Sequence, residues 1–312
     1  MRFLLSSIFV VAALSLSACS CGVDPGRSDS GSGGGAGGGK DGGPGDGGAV
    51  ACIPPDVLIA LDRTLTMHRK ADGTTPLDTD AGRATSKWSM AINGIEQLTA
   101  APLDQGIRFG LELWPKQSAG CITLSERLNN MGATNSNCEN GEIVVPPGLG
   151  AGAAISSLLD PETTKICTST PTGAALLTAR AYLDANRGTG RQQFVALVTD
   201  GADWDFSCPN PNPLGIVDQL TDAGISTIIV GFSAESSLQN GVGGAFLNDM
   251  ACAGGTAKGF PAPCTKNANG LYRATDPDAG VGNSLFYAAT NTAELVGALR
   301  AFAKTVCCDC IN

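Results

Sequence analysis

The stretch Val57-Leu-Ile-Ala-Leu-Asp-Arg-Thr-Leu-Thr66 decides the fold, because an unbroken apolar run ends abruptly in a polar loop. A continuous run of this kind is typical of a strand that is buried on both faces of a sheet. Two similar runs follow at Phe194–Val198 and Ile225–Phe232. We therefore expect a sheet whose central strands are covered on both sides.

Helical patterns alternate with these runs. Residues 84–98 carry apolar side chains at helical spacing, and Thr85 or Ser86 could cap them. We expect further helices over residues 151–159, 173–186, 214–223, 242–251 and 292–306, and further strands over residues 107–114, 143–145 and 271–275. This alternation predicts an α/β fold: a doubly wound, mostly parallel sheet flanked by helices, in a single folded domain.

Two segments depart from the alternation. Residues 116–141 lack clear periodicity and are expected to form a long loop or insertion. The short strand at residues 143–145 is expected to stop at Pro146-Pro147, and the prolines favour an edge position in the sheet because they cannot donate to a central ladder.

The composition restricts the class of partner and of chemistry. The chain of 312 residues has a net charge of −9. An acidic surface repels phosphate backbones, so we expect no nucleic-acid partner. The single histidine, His68, leaves one chain unable to build a multi-histidine zinc site.

The first 50 residues are expected to lie outside the folded domain. Residues 1–18 have a basic start and an apolar run that is too short to span a bilayer comfortably, which is typical of a signal peptide. Leu16-Ser17-Ala18-Cys19 resembles the lipobox of bacterial lipoproteins, and this implies that Cys19 is lipidated. Residues 19–50 are rich in Gly, Ser and Asp and predict a disordered linker before a domain over residues 51–312.

The N-terminal pattern also predicts a location. A lipidated Cys19 implies a protein of the bacterial cell envelope that meets the membrane through its lipid only. Ser20 follows Cys19 where an Asp would stand in lipoproteins kept at the inner membrane, so the outer membrane is favoured. Residues 34–40 mimic a phosphate-binding loop, but Asp41 replaces the required Ser or Thr, and we interpret the segment as linker.

Oxygen-bearing side chains follow two of the buried strands. Asp62, Thr64 and Thr66 come directly after the first strand. Asp200 comes just after the strand Phe194–Val198, and Thr170 precedes a helix. In a parallel sheet these positions share one edge. Carboxylates and hydroxyls are the ligands that Mg²⁺, Mn²⁺ and Ca²⁺ prefer. The first triplet alone also fits a polar turn that caps a helix.

The order and context of these three motifs resemble the von Willebrand factor A domain over about residues 56–304. The segments Ile228–Phe232 and Ala253–Thr256 resemble the same family. The resemblance implies a metal-ion-dependent adhesion site with the ligands Asp62, Thr64, Thr66, Thr170 and Asp200. It implies a divalent cation, with Mg²⁺ expected and Mn²⁺ or Ca²⁺ as alternatives, and a protein or peptide partner that offers an exposed carboxylate.

The sequence departs from the family pattern at the hydroxyls, since threonines stand where the family has serines in the first loop. The added methyl groups stiffen the side chains and crowd the site. Nearby residues are weaker candidates for contacts with a partner: Arg63, His68, and the loop residues Asp203, Trp204 and Asp205.

The cysteines predict disulfides, because scattered cysteines in an exported chain are usually paired. The candidates are Cys52, Cys121, Cys138, Cys167, Cys208, Cys252, Cys264, Cys307, Cys308 and Cys310. The pairs that we consider are Cys52 with the C-terminal cluster, Cys167 with Cys208, Cys121 with Cys138, and Cys252 with Cys264. Connectivity cannot be deduced from sequence, and metal binding by the C-terminal cluster is an alternative.

The sequence therefore favours a non-enzymatic binding module. A metal-dependent hydrolase is an alternative, because an ion with an open position can activate water, but no general base accompanies the expected ligands. A structural envelope lipoprotein with a silent metal site is the other alternative.

Overall fold

The computed structural model describes residues 53–129, 140–201, 211–233, 242–278, 280 and 282–306. The expected signal peptide, Cys19 and the linker lie outside these residues. The strands are β1 (Asp56–Asp62), β2 (Arg108–Trp114), β3 (Glu142–Gly148), β4 (Gln193–Thr199), β5 (Ile225–Phe232), β6 (Cys264–Lys266), β7 (Tyr272–Ala274) and β8 (Tyr287–Ala289). The helices are α1 (Asp80–Arg83), α2 (Lys87–Thr99), α3 (Leu103–Gly106), α4 (Leu124–Leu128), α5 (Gly152–Leu158), α6 (Thr172–Ala185), α7 (Pro213–Asp222), α8 (Val242–Ala253) and α9 (Thr292–Val306).

The main sheet confirms the predicted fold class. Its six strands have the order β3-β2-β1-β4-β5-β8, and every pairing is parallel except that of β2 with β3. β6 and β7 form a separate antiparallel pair. The sheet is thus mixed but mostly parallel, as the alternation of strands and helices predicts.

The edge strand is longer than predicted. β3 continues through Pro146 and Pro147 to Gly148, although the sequence predicts that it stops at the prolines. Its pairing with β2 is irregular around Leu111, where the register shifts. A strand with a neighbour on one side only can accommodate prolines, because their missing N–H groups need not face a ladder.

Two apolar layers cover the two faces of the sheet. On β1, alternate residues point to opposite sides: Ile59 packs in one cluster with Trp88 and Ile92 of α2, and Leu58 packs in the other with Leu176 of α6. Side chains of α5 and α9 also pack in the first layer, and side chains of α7 and α8 pack in the second. Burying each large side chain contributes about 1.5–3 kcal/mol to folding, so these layers fix the positions of the strand ends.

Some short elements were not predicted. The segment 116–141, expected as a loop, contains α4, which begins with a capping box between Thr123 and Glu126. β6 and β8 have three residues each, too few for a periodic pattern. Among the described residues, no helix has both the length and the apolar character needed to cross a membrane.

The chain order of the strands predicts a crevice beside β1. From β1 the chain continues to β2 on one side, whereas β4 and β5 occupy the other side. In open α/β sheets this reversal of strand order marks the usual ligand site, beyond the carboxyl ends of the strands. Asp62 and Thr199 end the two strands that border the crevice.

Candidate metal centre

The buried carboxylate of Asp62 lies at the end of β1, beside the expected crevice. Asp62 is the last residue of β1 and is 0% exposed. Its Oδ1 accepts a hydrogen bond of 2.7 Å from the Thr64 backbone N–H, and its Oδ2 accepts one of 2.8 Å from Thr199 Oγ1. Both oxygens are therefore oriented by the two strand ends, and Thr199 is a site residue that the sequence analysis missed.

The loop after β1 brings its hydroxyls to the second carboxylate. Thr64 Oγ1 and Thr66 Oγ1 are 3.1 Å apart, and Thr66 Oγ1 donates a hydrogen bond of 2.9 Å to Asp200 Oδ1. Thr66 is exposed, whereas Thr64 is buried. Four of the five predicted ligands thus form one connected group that reaches solvent at Thr66.

The electrostatics of Asp62 favour a cation. Burial, and after it the charge of Asp200, raises the pKa of Asp62 to about 7, although hydrogen bonds from Thr64 and Thr199 act in the opposite direction. A buried carboxylate beside a second carboxylate is costly to ionise, and a positive ion relieves this cost. The donors are oxygen atoms of carboxylates and hydroxyls, which fit a hard divalent cation.

The candidate donors are hydroxyls as well as carboxylates. Among the described residues, no group of three or more His, Cys, Asp or Glu side chains is placed to hold a metal. A zinc-type centre is therefore a poorer fit to this part of the chain than a site of the oxygen type.

Thr170, the fifth predicted ligand, lies on a segment that runs beside the loop. Thr64 and Cys167 form an isolated parallel bridge, and the Cys167 N–H donates to Arg63 O at 2.8 Å. Thr170 is half-buried, and its side chain makes no hydrogen bond to the other four predicted ligands. Ser169 before it has a φ of 71°, a strained backbone conformation next to the crevice.

Lys87 is the second site residue that the sequence analysis missed. Its Nζ lies 2.5 Å from Asp200 Oδ2, and the side chains of Lys87 and Asp200 are 5% and 4% exposed. Lys87 begins α2, and its backbone N–H donates to Arg69 O at 2.8 Å. A positive charge from within the chain thus already contacts the second carboxylate.

Two of the weaker candidates for contacts with a partner are buried. Arg63 is 2% exposed, and its Nε donates a hydrogen bond of 2.6 Å to Pro115 O, so the expectation that it contacts an acidic partner is wrong. His68 is 4% exposed, and its Nδ1 contacts Leu65 O within the same short 3-10 helix. Burial lowers the pKa of His68, so the neutral ring is favoured. Asp203, Trp204 and Asp205 lie outside the described residues.

The disulfides differ in part from the pairs that we considered. Cys121 is bonded to Cys167, so neither is available to Cys138 or Cys208, and both of those pairs are wrong. The antiparallel bridge between Ile122 and Ile166 explains the difference, since it aligns the two segments. Cys252 is bonded to Cys264, in agreement with the last pair. The other candidate cysteines, Cys52, Cys138, Cys208, Cys307, Cys308 and Cys310, lie outside the described residues.

Comparisons with known proteins give similarity in structure only. No protein-family model matches the sequence, and no curated protein gives a significant match. An aerotolerance-related membrane protein from Bacteroides fragilis is 14% identical, with 80% of this chain and 99% of that chain covered and a TM-score of 0.43. Manganese-loaded TRAP from Plasmodium vivax is 15% identical, with 80% and 73% covered and a TM-score of 0.46.

A third similar structure is proximal thread matrix protein 1 from the mussel byssus, with a zinc-occupied MIDAS motif. It is 12% identical, with a TM-score of 0.43, and the alignment covers 81% of this chain and 48% of that chain. At these identities and TM-scores, the similarities assign neither a metal nor a partner to this chain.

Proposed function

We propose that this chain is a cell-envelope lipoprotein whose α/β domain resembles the von Willebrand factor A domain and binds a protein or peptide through a divalent-metal-dependent adhesion site. The observation that carries the proposal is the connected group formed by Asp62, Thr64, Thr66 and Asp200 at the carboxyl ends of β1 and β4. Residues 62 and 200 are far apart in the chain, so the fold itself assembles the group.

In this proposal, Asp62, Thr64, Thr66, Asp200 and Thr170 hold the ion, directly or through water. The bound ion supplies a positive charge that accepts a carboxylate of the partner. Thr66 lies at the solvent side of the group, so a partner would approach over this residue. Mg²⁺ is the expected ion, with Mn²⁺ and Ca²⁺ as alternatives.

The net charge explains why the ion would matter for an acidic partner. The chain carries a net charge of −9, and a carboxylate that approaches two aspartates is repelled. Arg63, the nearest arginine in sequence to the site, is buried and donates to Pro115 O, so it cannot take the role of the ion. Lys87 is also buried and is engaged by Asp200, so a metal-bridged contact is the favoured way to hold a partner's carboxylate at this edge.

A role without catalysis is part of the same proposal. The ring of His68 is buried and contacts Leu65 O, which makes it a poor general base at the crevice. The carboxylates of Asp62 and Asp200 are held by Thr64, Thr199, Thr66 and Lys87. Carboxylates that are held by these hydrogen bonds and this ion pair are better suited to binding an ion than to transferring a proton.

The N-terminal pattern supports display of the domain at an envelope surface. Lipidation at Cys19 would anchor the chain, and the linker over residues 19–50 would reach roughly 30 Å as a random coil. Such a distance holds a domain clear of a lipid headgroup layer. The outer membrane remains the favoured location.

The proposal is tested with immobilised peptides that contain a central Asp or Glu, and with the same peptides carrying Asn or Gln instead. The full chain is expected to bind the acidic set in Mg²⁺, to lose this binding in chelator, and to ignore the amide set. Asp200→Ala should bind neither set, whereas Asp222→Ala, which removes an exposed carboxylate at the end of α7, should bind like the wild type. Binding that is unchanged by chelator would overturn the metal-bridged contact.

A further inference from the structure

Lys87 has an unfavourable place for a cation. It is the first residue of α2, a helix of 13 residues, and no acidic residue lies in the first turn. The N-terminus of a helix carries a partial positive charge, so a lysine there is destabilising unless something compensates it. The Ser86 side chain caps the helix by accepting from Ser89 N at 3.1 Å, which fixes where α2 begins.

The compensation comes from Asp200. The ammonium of Lys87 and the carboxylate of Asp200 are almost completely buried and 2.5 Å apart. A buried ammonium without a partner is costly, so Lys87 depends on Asp200 for its compensation. The other oxygen of Asp200 accepts from Thr66 Oγ1 at 2.9 Å. Both carboxylate oxygens of Asp200 are therefore already engaged.

A divalent ion that Asp200 holds directly would need one of these two carboxylate oxygens. Asp62 and Asp200 together neutralise a divalent cation, whereas Lys87 in its present place would leave a net positive charge in a buried site. Two cations within a few ångströms repel each other strongly when water is excluded. The divalent ion and the Lys87 ammonium therefore compete for the carboxylate of Asp200.

We propose that Lys87 is a tethered competitor of the divalent ion. Its ammonium neutralises Asp200 while the centre is empty of metal, and it leaves Asp200 Oδ2 when the ion binds. Lys87 is thus a residue that sets the metal affinity and couples metal loading to a movement of its own side chain at the start of α2. This inference rests on the proposed function, because it concerns the same site.

The test compares divalent-cation affinities by calorimetric titration of the full chain with Mg²⁺ and with Mn²⁺. Lys87→Met should bind about tenfold more tightly than the wild type, since one like charge has been removed beside the ion. Lys87→Arg keeps the charge and should stay within about threefold of the wild type. The matched control is Lys266→Met, which removes one positive charge from the exposed strand β6 and should stay within about twofold.

Stability is the second measurement, because a structural ion pair would change it without raising metal affinity. In chelator, Lys87→Met should unfold at a lower temperature than the wild type, since Asp200 loses its partner. In saturating Mg²⁺ the unfolding temperature of Lys87→Met should rise by more than that of the wild type. Lys87→Gln serves as a substitute for the methionine variant if the latter does not fold.

The outcomes separate this inference from the proposed function. Equal or weaker metal binding by Lys87→Met, with Asp62→Ala abolishing wild-type binding, would overturn the competition and leave the metal site intact. Metal binding by Lys87→Met alone, with none by the wild type, would support the competition and overturn the metal-dependent function of the native chain. Absence of binding by both folded proteins would overturn both.

Discussion

Thr199 Oγ1 donates a hydrogen bond of 2.8 Å to Asp62 Oδ2 and so links the last residues of two adjacent parallel strands, β4 and β1. Both residues are 0% exposed. The bond orients the carboxylate that forms the floor of the candidate metal centre, and it stabilises the charged form of that carboxylate. The sheet therefore fixes the site through a side-chain contact as well as through its backbone.

Removing this hydrogen bond should weaken metal binding in a way that depends on pH. In Thr199→Val, the pKa of Asp62 rises above its present value of about 7, because one of the groups that lower it is lost. We expect about 3- to 10-fold weaker Mg²⁺ binding at pH 6.5, and recovery of most of the loss at pH 8.5. Calorimetric titration at the two pH values measures this.

Thr227→Val is the matched control for that substitution. Thr227 lies on the neighbouring strand β5, is 0% exposed, and its hydroxyl has no hydrogen-bond partner among the described residues. Its removal should leave metal affinity unchanged. An equal loss of affinity in the two valine variants, at both pH values, would show that the Thr199 hydroxyl has no specific role.

Asp62 should make the metal-free protein less stable as the pH rises. Its folded-state pKa of about 7 lies above the ordinary 3.8, so the folded state holds the proton more tightly than the unfolded state. The stabilising contribution of the protonated side chain is fully present below pH 3.8 and is lost as the pH rises through about 7. The Asp62→Asn variant has no titrating carboxyl at this position, so it does not lose stability in this way as the pH rises.

In chelator, the free energy of unfolding of Asp62→Asn relative to the wild type should therefore increase between pH 4 and pH 8, by on the order of a few kcal/mol. Denaturant unfolding at several pH values measures this difference. At pH 8, Mg²⁺ should stabilise the wild type and leave the variant unchanged. A difference between the two proteins that is flat across this pH range would contradict the raised pKa of Asp62.

The exposed hydroxyl of Thr66 should matter for the metal and little for stability. Thr66→Ala removes the group that joins Thr64 to Asp200, and we expect a loss of metal affinity of about tenfold or more. Thr66→Ser keeps the hydroxyl and should bind as well as the wild type or better, because the crowding methyl is gone. Both variants should unfold within about 1 kcal/mol of the wild type. Equal binding by the alanine variant would exclude Thr66 as a ligand.

The disulfide between Cys121 and Cys167 should stabilise both the domain and the site. It closes a loop with a sequence separation of 46, which corresponds to about 4 kcal/mol in the loop-entropy model. It also ties down the segment whose Cys167 N–H donates to Arg63 O beside the metal loop. In a Cys121→Ser, Cys167→Ser double variant, the free energy of unfolding should fall by about this amount and metal binding should be weaker.

The bond between Cys252 and Cys264 offers a comparison. It spans a sequence separation of 12, for which the same model gives about 3 kcal/mol, and it lies in the apolar layer that contains α7 and α8. Its removal should lower stability and leave metal affinity unchanged in the protein that remains folded. Unaltered metal affinity in both double variants would show that the bond of Cys167 does not shape the site.

The sequence predicts the sheet and most of the metal group because these depend on local patterns. A continuous apolar run such as Val57–Leu61, which is short and ends in a polar loop, has the length of a strand rather than of a helix and fits a strand buried on both faces. Once that strand is placed, the polar residues that follow must lie at its carboxyl end. The same reasoning places Asp200 after β4 on the same edge of the sheet, and the pairing of β1 with β4 brings the two carboxylates together.

The contacts that depend on packing could not be predicted in this way. A lysine at the start of a helix has the pattern of a solvent-exposed residue, and only the tertiary fold brings Lys87 to Asp200. Arg63 has the pattern of an exposed loop residue as well, but it turns inward to Pro115 O. The pairing of Cys121 with Cys167 depends on an antiparallel bridge between segments that lack a periodic pattern.

The central claim is that the strand ends form a divalent-cation site, and calorimetric titration of Mg²⁺ and Mn²⁺ into the full oxidised chain at pH 8, beside Asp62→Ala and Asp200→Ala, tests it most directly. We predict saturable binding with one ion per chain in the wild type and none in either variant. The absence of saturable binding by the folded wild type, or binding that survives both substitutions, would contradict the claim.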